Sequence, residues 1–135
     1  MYETFEHRAD IGVRGYGKSL EEAFENGAKA MFSVMVDIEG VRPVETEEII
    51  CEAPDIEILF VEWLNNLISH AHLSGKLFSC FKVEITENSL KGLAIGERID
   101  KNRHHIMTEV KGATYSNLKV DKEDDMFVAQ CIVDV

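Results

Sequence analysis

Basic residues are scarce in this chain: 14 Lys and Arg stand against 25 Asp and Glu among 135 residues, a formal net charge of −11. Phosphate backbones and anionic lipids are held through clustered Lys and Arg, so this balance argues against a direct, high-affinity RNA or DNA binder and against a membrane-surface protein. It suits docking on a basic protein, including one that itself carries nucleic acid. No apolar run approaches the ~20 residues that span a bilayer. The opening Met1-Tyr2-Glu3-Thr4-Phe5-Glu6 has neither the basic start nor the apolar stretch of a signal peptide, and a cytoplasmic location is the expectation. Cysteine is equally sparse. Cys51, Cys80 and Cys131 are far apart and show no Cys-x-x-Cys spacing, which removes the usual zinc and dithiol frameworks and leaves all three as expected interior apolar residues.

The fingerprints of common catalysts are missing too. The chain has no Gly-x-x-x-x-Gly-Lys-Ser/Thr loop, no Gly-x-Gly-x-x-Gly opening a helix, no Gly-x-Ser-x-Gly elbow and no His-Glu-x-x-His. His7 and Asp10 are spaced for a proton-transfer dyad at a strand end, although a structural hydrogen bond between them is the plainer expectation. His70 and His72 lie two apart near a helix end, so they do not face the same way, and their place is explained by the negative end of the helix dipole. The adjacent His104 and His105 have no third ligand nearby in sequence and are read as solvated.

What the chain does contain is clear patterning. A length of 135 residues with 45% hydrophobic content fits one domain with a real core. Residues 2 to 7 and 11 to 16 read as extended, interrupted at Ala9-Asp10. Ser19-Leu20-Glu21-Glu22 is a capping box, followed by Leu20, Ala23, Phe24, Gly27, Ala28, Met31, Phe32 and Met35 on one helical face over residues 20 to 35. Val44 to Ala53 reads as a strand. Pro54 stops it, and Asp55 caps a second helix whose stripe is Ile56, Leu59, Phe60, Trp63, Leu64, Leu67, Ile68 and Ala71. Ile58 and Val61 fall off that stripe, which predicts burial on more than one side. Ser74-Gly75 ends the helix.

Phe81, Val83 and Ile85 alternate with Lys82, Glu84 and Thr86, and Asn88-Ser89 turns that strand into Leu90 to Ile99, a hairpin. A polar loop at residues 100 to 105 precedes extended structure from Ile106 through Tyr115. Leu118-Lys119-Val120 leads into an acidic turn, Asp121 to Asp125. The closing run Met126 to Val135 is apolar at nearly every position, as an interior strand is, so its end is tied into the sheet. Without repeats or linkers, these pieces form a single two-layer α+β domain over residues 1–135, two amphipathic helices packed on a mostly antiparallel β-sheet.

The two ends carry the most pointed chemistry. If the first and last strands are neighbours, Asp10, the Asp134 side chain and the Val135 terminal carboxylate converge. Three like charges that close repel unless a cation neutralises them. All-oxygen ligands without Cys or His favour Ca²⁺, with Mg²⁺ as the other hard cation. The alternative is that Asp10 caps a turn and Asp134 is a solvated strand end.

His7-Arg8-Ala9-Asp10-Ile11-Gly12, then Tyr16-Gly17-Lys18-Ser19-Leu20-Glu21-Glu22-Ala23-Phe24-Glu25 leading to Ala30-Met31-Phe32, resembles the opening of the archease family. Trp63-Leu64-Asn65-Asn66-Leu67, Gly96-Glu97, Glu109-Val110-Lys111-Gly112-Ala113-Thr114-Tyr115 and Val133-Asp134-Val135 resemble its later blocks. The chain departs from common family residues at Arg8, Gly112 and Ser116. The resemblance implies a non-catalytic accessory protein, chaperone-like in the wider family. Its partner would be the RtcB-type RNA ligase, which joins RNA ends in tRNA splicing and RNA repair through a guanylylated histidine. Archease-like proteins promote that guanylylation and allow multiple turnover, meeting RNA only indirectly. By position, Asp10 and Asp134 match the family's metal-binding acids and Val135 its terminal ligand. His7 and Lys111 are further candidates, as partner contacts or as outer residues of that site. A different class of function, a stand-alone metal-dependent phosphohydrolase, would use water on the same acids with His7 as base.

Overall fold

The computed structural model describes all 135 residues. Strands β1 (Tyr2–His7) and β2 (Asp10–Gly17) form a hairpin closed by Arg8-Ala9, with Arg8 in the left-handed region at φ 56°. Helix α1 (Leu20–Met35) begins as its capping box predicts: the Glu22 N–H donates to Ser19 Oγ at 3.1 Å, and the Glu22 carboxylate accepts from the Lys18 N–H at 3.1 Å. A short 3₁₀ turn (Ile38–Gly40) leads to β3 (Glu45–Glu52). Helix α2 (Ile56–Ser74) starts where Asp55 Oδ1 accepts from the Ile58 N–H at 2.8 Å. It ends at Gly75, whose φ of 65° is the left-handed conformation that glycine adopts at least cost. The remaining strands are β4 (Lys76–Thr86), β5 (Ser89–Arg98), β6 (Gly112–Ala113), β7 (Lys119–Glu123) and β8 (Met126–Asp134).

The α+β class holds, with its strands divided between two antiparallel sheets. One runs β1-β2-β8-β6 with β7 also paired to β8, and the other runs β3-β5-β4. Both helices touch both sheets. This accounts for burial beyond the predicted stripes: Ala30, Val34 and Val61 lie off them yet are buried, because each helix meets apolar surface on two sides. A single cluster of 25 buried residues joins Val13, Ala129, Cys131 and Val133 of the first sheet to Ile49, Phe81, Leu90 and Ala94 of the second. The two helices are tied together inside it by the Trp63 indole N–H, which donates to the Phe24 carbonyl at 3.1 Å, and by an edge-to-face contact of Phe24 with Phe60 at 5.0 Å. Helix α1 and strand β2 come into close backbone contact at Gly15, where a Cβ would come within 2.1 Å of the Gly27 amide nitrogen on α1.

Several expectations are corrected. His104 is buried, not solvated: Asp100 N–H donates to its Nδ1 at 2.8 Å, which places the ring proton on Nε2, 3.0 Å from Glu97 Oε2. Glu97 also accepts from the Arg42 N–H at 2.6 Å and pairs with Arg103. This network folds the polar loop back onto β5, and adjacency in sequence carried no sign of it; His105 alone is exposed. Residues 106 to 115, expected as continuous strand, pair regularly only at Gly112-Ala113, with a lone bridge from Ile106 to Val36. The acidic stretch is mostly β7, leaving Asp124-Asp125 as the turn, since pairing with β8 needs only backbone groups and its acids point to water. Cys131 is buried, while Cys51 and Cys80 are half-buried. His70 is not a bare helix-end residue: its Nδ1 lies 2.9 Å from Glu47 Oε1.

Two stability measurements check this packing. Gly15→Ala forces backbone apart and should cost roughly 1–3 kcal/mol or more by chemical denaturation, as overpacking does. Gly40→Ala, with open space around its Cβ, should be neutral or gain about 0.4–1 kcal/mol. Hydrogen bonding from Arg103, then from the Arg42 amide and His104, holds the Glu97 carboxyl down to about 2. A depressed folded-state value stabilises the fold above the ordinary carboxyl range and is lost as pH falls through the folded value. The melting-temperature gap between the parent and Glu97→Gln should therefore be widest near neutrality and close between the ordinary value of 4.5 and about 2.

Candidate functional site

The ends of the chain meet because β2 and β8 are neighbours. Their ladder runs from Gly17↔Phe127 to Ile11↔Val133. The paired ladder ends there, and Asp10, the first residue of β2, and Asp134, the last of β8, each lie one position beyond it, where a continued register would set them opposite one another. Directly opposed residues of an antiparallel pair hold their Cβ atoms about 4.5–5.5 Å apart, and like charges so placed destabilise the pair. Alternation along the strands decides which way they face. Val13, Cys131 and Val133 point into the core, so Asp10 and Asp134 lie on the opposite face of the sheet, with Asp134 exposed and Asp10 half-exposed. Val135 is half-buried and packs against the core cluster.

On its other side Asp134 pairs with Gly112, and the Lys111 N–H donates to the Asp134 carbonyl at 2.8 Å. Lys111 is exposed and precedes Gly112, the residue opposite Asp134. His7 stands across the hairpin from Asp10 in register, but the side-chain hydrogen bond expected between them is not formed. The structure thus brings Asp10, Asp134, Val135, His7 and Lys111 to one end of one sheet. Sequence spacing gave no hint of a further neighbour, Asn65 on α2. Its Oδ1 accepts from the Ala113 N–H at 2.8 Å and its Nδ2 donates to the Ala113 carbonyl at 3.2 Å. The only available signal was a polar residue inside the Trp63 to Leu67 block.

The donor set decides what this end can hold. All seven ion pairs of the fold lie elsewhere, so no Lys, Arg or His neutralises Asp10 or Asp134. No cluster of three or more His, Cys, Asp or Glu side chains is close enough to form a metal cage. Side-chain carboxylates are oxygen donors of the type that hard cations take, unlike the Cys and His donors typical of zinc. Nucleophilic chemistry has less to work with. Burial pushes the Cys51 thiol up to about 11 and Cys131 up to about 12, so neither supplies a thiolate near neutrality. An apolar groove of about 400 Å³ opens between the C-terminal ends of α1 and α2, walled by Phe32, Met35, Ile68, Leu77, Ile106 and Met107. No helix is long and apolar enough to cross a membrane.

Residues 2–135 match the model of the archease protein family. Protein archease of Sulfurisphaera tokodaii is 40% identical over 136 residues, covering 99% of this chain and 98% of the relative. Protein archease of Thermococcus kodakarensis is 42% identical over 139 residues with the same two coverages. Among solved structures, Methanobacterium thermoautotrophicum protein 1598 superposes with a TM-score of 0.81 at 31% identity, over 99% of this chain and 98% of that one. An archease, possible chaperone, from Thermotoga maritima shares the fold at a TM-score of 0.66 and 22% identity, over 97% and 94% of the two chains. With the whole length matched in sequence and in fold, the chain belongs to the archease family.

Proposed function

We propose that this chain is a non-catalytic accessory protein of an RtcB-type RNA ligase, promoting its guanylylation and multiple turnover in tRNA splicing and RNA repair through a divalent-cation site. The observation that carries the reading is the pairing of β2 with β8, which brings Asp10 and Asp134 to the same end of adjacent strands with neither in an ion pair. Asp10, Asp134 and, with the chain ending at Val135, the terminal carboxylate would hold the ion, Ca²⁺ ahead of Mg²⁺, and water would complete its shell. A bound ion supplies charge neutralisation and open coordination positions for anionic groups. The chain's own residues do the rest: the two strands fix the carboxylates on a rigid edge, while His7 and Lys111 flank them as contacts for the partner. A net charge of −11 favours a basic, RNA-carrying enzyme as partner over RNA itself.

A second reading, a broader chaperone for RNA-modifying enzymes, is favoured by the apolar groove and by exposed Leu73, Ile106 and Met107 near it. Suppression of aggregation across unrelated clients, unaffected by Asp10→Ala, would support it.

Calorimetric titration with Ca²⁺ separates the outcomes. Asp10→Ala, Asp134→Ala and a form lacking Val135 should each bind at least about tenfold more weakly than the parent. Equal affinity in all four would rule the site out. In single-turnover guanylylation of the cognate ligase, the parent should accelerate nucleotide loading and Asp10→Ala should not. Turnover of a phosphoester panel by the isolated protein, lost in Asp10→Ala, would instead mark it as a hydrolase.

A further inference from the structure

We infer that Asn65 is a positioning residue of the acidic pair: its side-chain amide takes the place of a missing strand and holds Lys111 to Ala113 against the end of β8. In this segment the Lys111 N–H and the Thr114 N–H donate to β8, to the Asp134 carbonyl at 2.8 Å and the Ile132 carbonyl at 2.9 Å. The Thr114 N–H faces β8, so by alternation the adjoining Ala113 groups point away from β8, where no further strand stands, while the Lys111 N–H reaches Asp134 outside that alternation. Asn65 meets both, with its Oδ1 at 2.8 Å from the Ala113 nitrogen and its Nδ2 at 3.2 Å from the carbonyl oxygen. A carboxamide presents the same donor and acceptor as a peptide edge, which is why Asn completes the pairing where an apolar side chain would orphan two backbone groups.

The need for such a clamp follows from how little else holds the segment. β6 is two residues long, far below a self-supporting strand, and the residues before it form no ladder, being held by the Ile106 bridge, by the Met107 and Thr108 N–H bonds to the end of α1 and by the buried Val110 side chain. Asn65 itself is firmly placed, since Trp63, Leu64 and Leu67 on the same helix are fully buried. Gly112, between Lys111 and Ala113, is the residue paired with Asp134. The backbone pairing of Lys111 and Gly112 with Asp134 is therefore set from α2, across the molecule's core. The effect on cation binding rests on the function proposed above; the clamp does not.

The test combines amide hydrogen exchange with Ca²⁺ titration on the full chain. In Asn65→Ala, exchange at Ala113 should quicken at least about tenfold and Ca²⁺ affinity should fall about tenfold, the scale of supporting contacts at metal sites. Exchange in the centres of α2 and β8 should not change. Asn65→Asp keeps the acceptor for the Ala113 N–H and nearly the same volume, so Ala113 should stay protected; this variant decides the matter should Asn65→Ala fail to fold. Unchanged exchange at Ala113 in Asn65→Ala, faster exchange there with undiminished affinity, or loss of Ala113 protection in a folded Asn65→Asp would overturn the inference. A parent that binds no Ca²⁺ sinks the cation reading, and exchange at Ala113 then decides the clamp by itself.

Discussion

The pairing of β2 with β8 is the constraint on which the rest of this structure depends. It joins residues at opposite ends of the chain, Ile11 with Val133 and Gly17 with Phe127, and so closes nearly the entire polypeptide into one loop. Loop-closure entropy grows only slowly with length, but the long-range contact must still be repaid by burial. Val13, Ala129, Cys131 and Val133 provide that burial, all fully inside the cluster that also receives both helices. The same closure that secures the fold assembles the acidic end. Asp10 and Asp134 are local to nothing until these two strands are side by side.

Around that pairing, the helices act as a shared filling between two sheets. α1 lies so close to β2 that a Cβ at position 15 would meet its backbone, and at position 27 a Cβ would meet the Phe60 ring of α2. α2 packs its aromatic residues the other way, with the Trp63 ring against Gly92 of β5 and edge-on to Phe81 of β4 at 6.1 Å. Exposed edges are handled by side chains from the helices. The Glu25 carboxylate accepts from the Val83 N–H on β4 at 2.9 Å, and Asn65 does the equivalent for Ala113. Both devices satisfy strand groups that would otherwise invite pairing with another chain. The result is a frame with two carboxylates outside any ion pair at one end of a sheet.

Much of this was legible in the residues because it depends on near neighbours. The boundaries of α1 and α2 follow from Ser19, Glu22, Asp55 and Gly75, whose capping chemistry acts within one turn. Other features were hidden. His104 reads as a loop residue until Glu97, seven positions away on β5, folds over it. Residues 106 to 115 carry strand-forming side chains, but most of their backbone finds partners on α1 or on the end of β8 in place of a ladder: the Met107 and Thr108 N–H groups donate to the Met35 and Val34 carbonyls of α1. The acids at 121 and 123 look like turn residues because side-chain polarity says nothing about backbone pairing at a wet sheet edge.

By itself the sequence determined the helices, their caps, most strands, the acidic balance and the family, since periodicity, capping and composition are properties of short stretches or of the whole. It also singled out Asp10 and Asp134 as suitable oxygen ligands by residue type. Only the tertiary structure decided that they are neighbours on one face, that Asn65 reaches Ala113, and that the strands separate into two sheets. Register and pairing between distant segments are set by which apolar faces can be buried together, and that competition is settled only when the whole core closes.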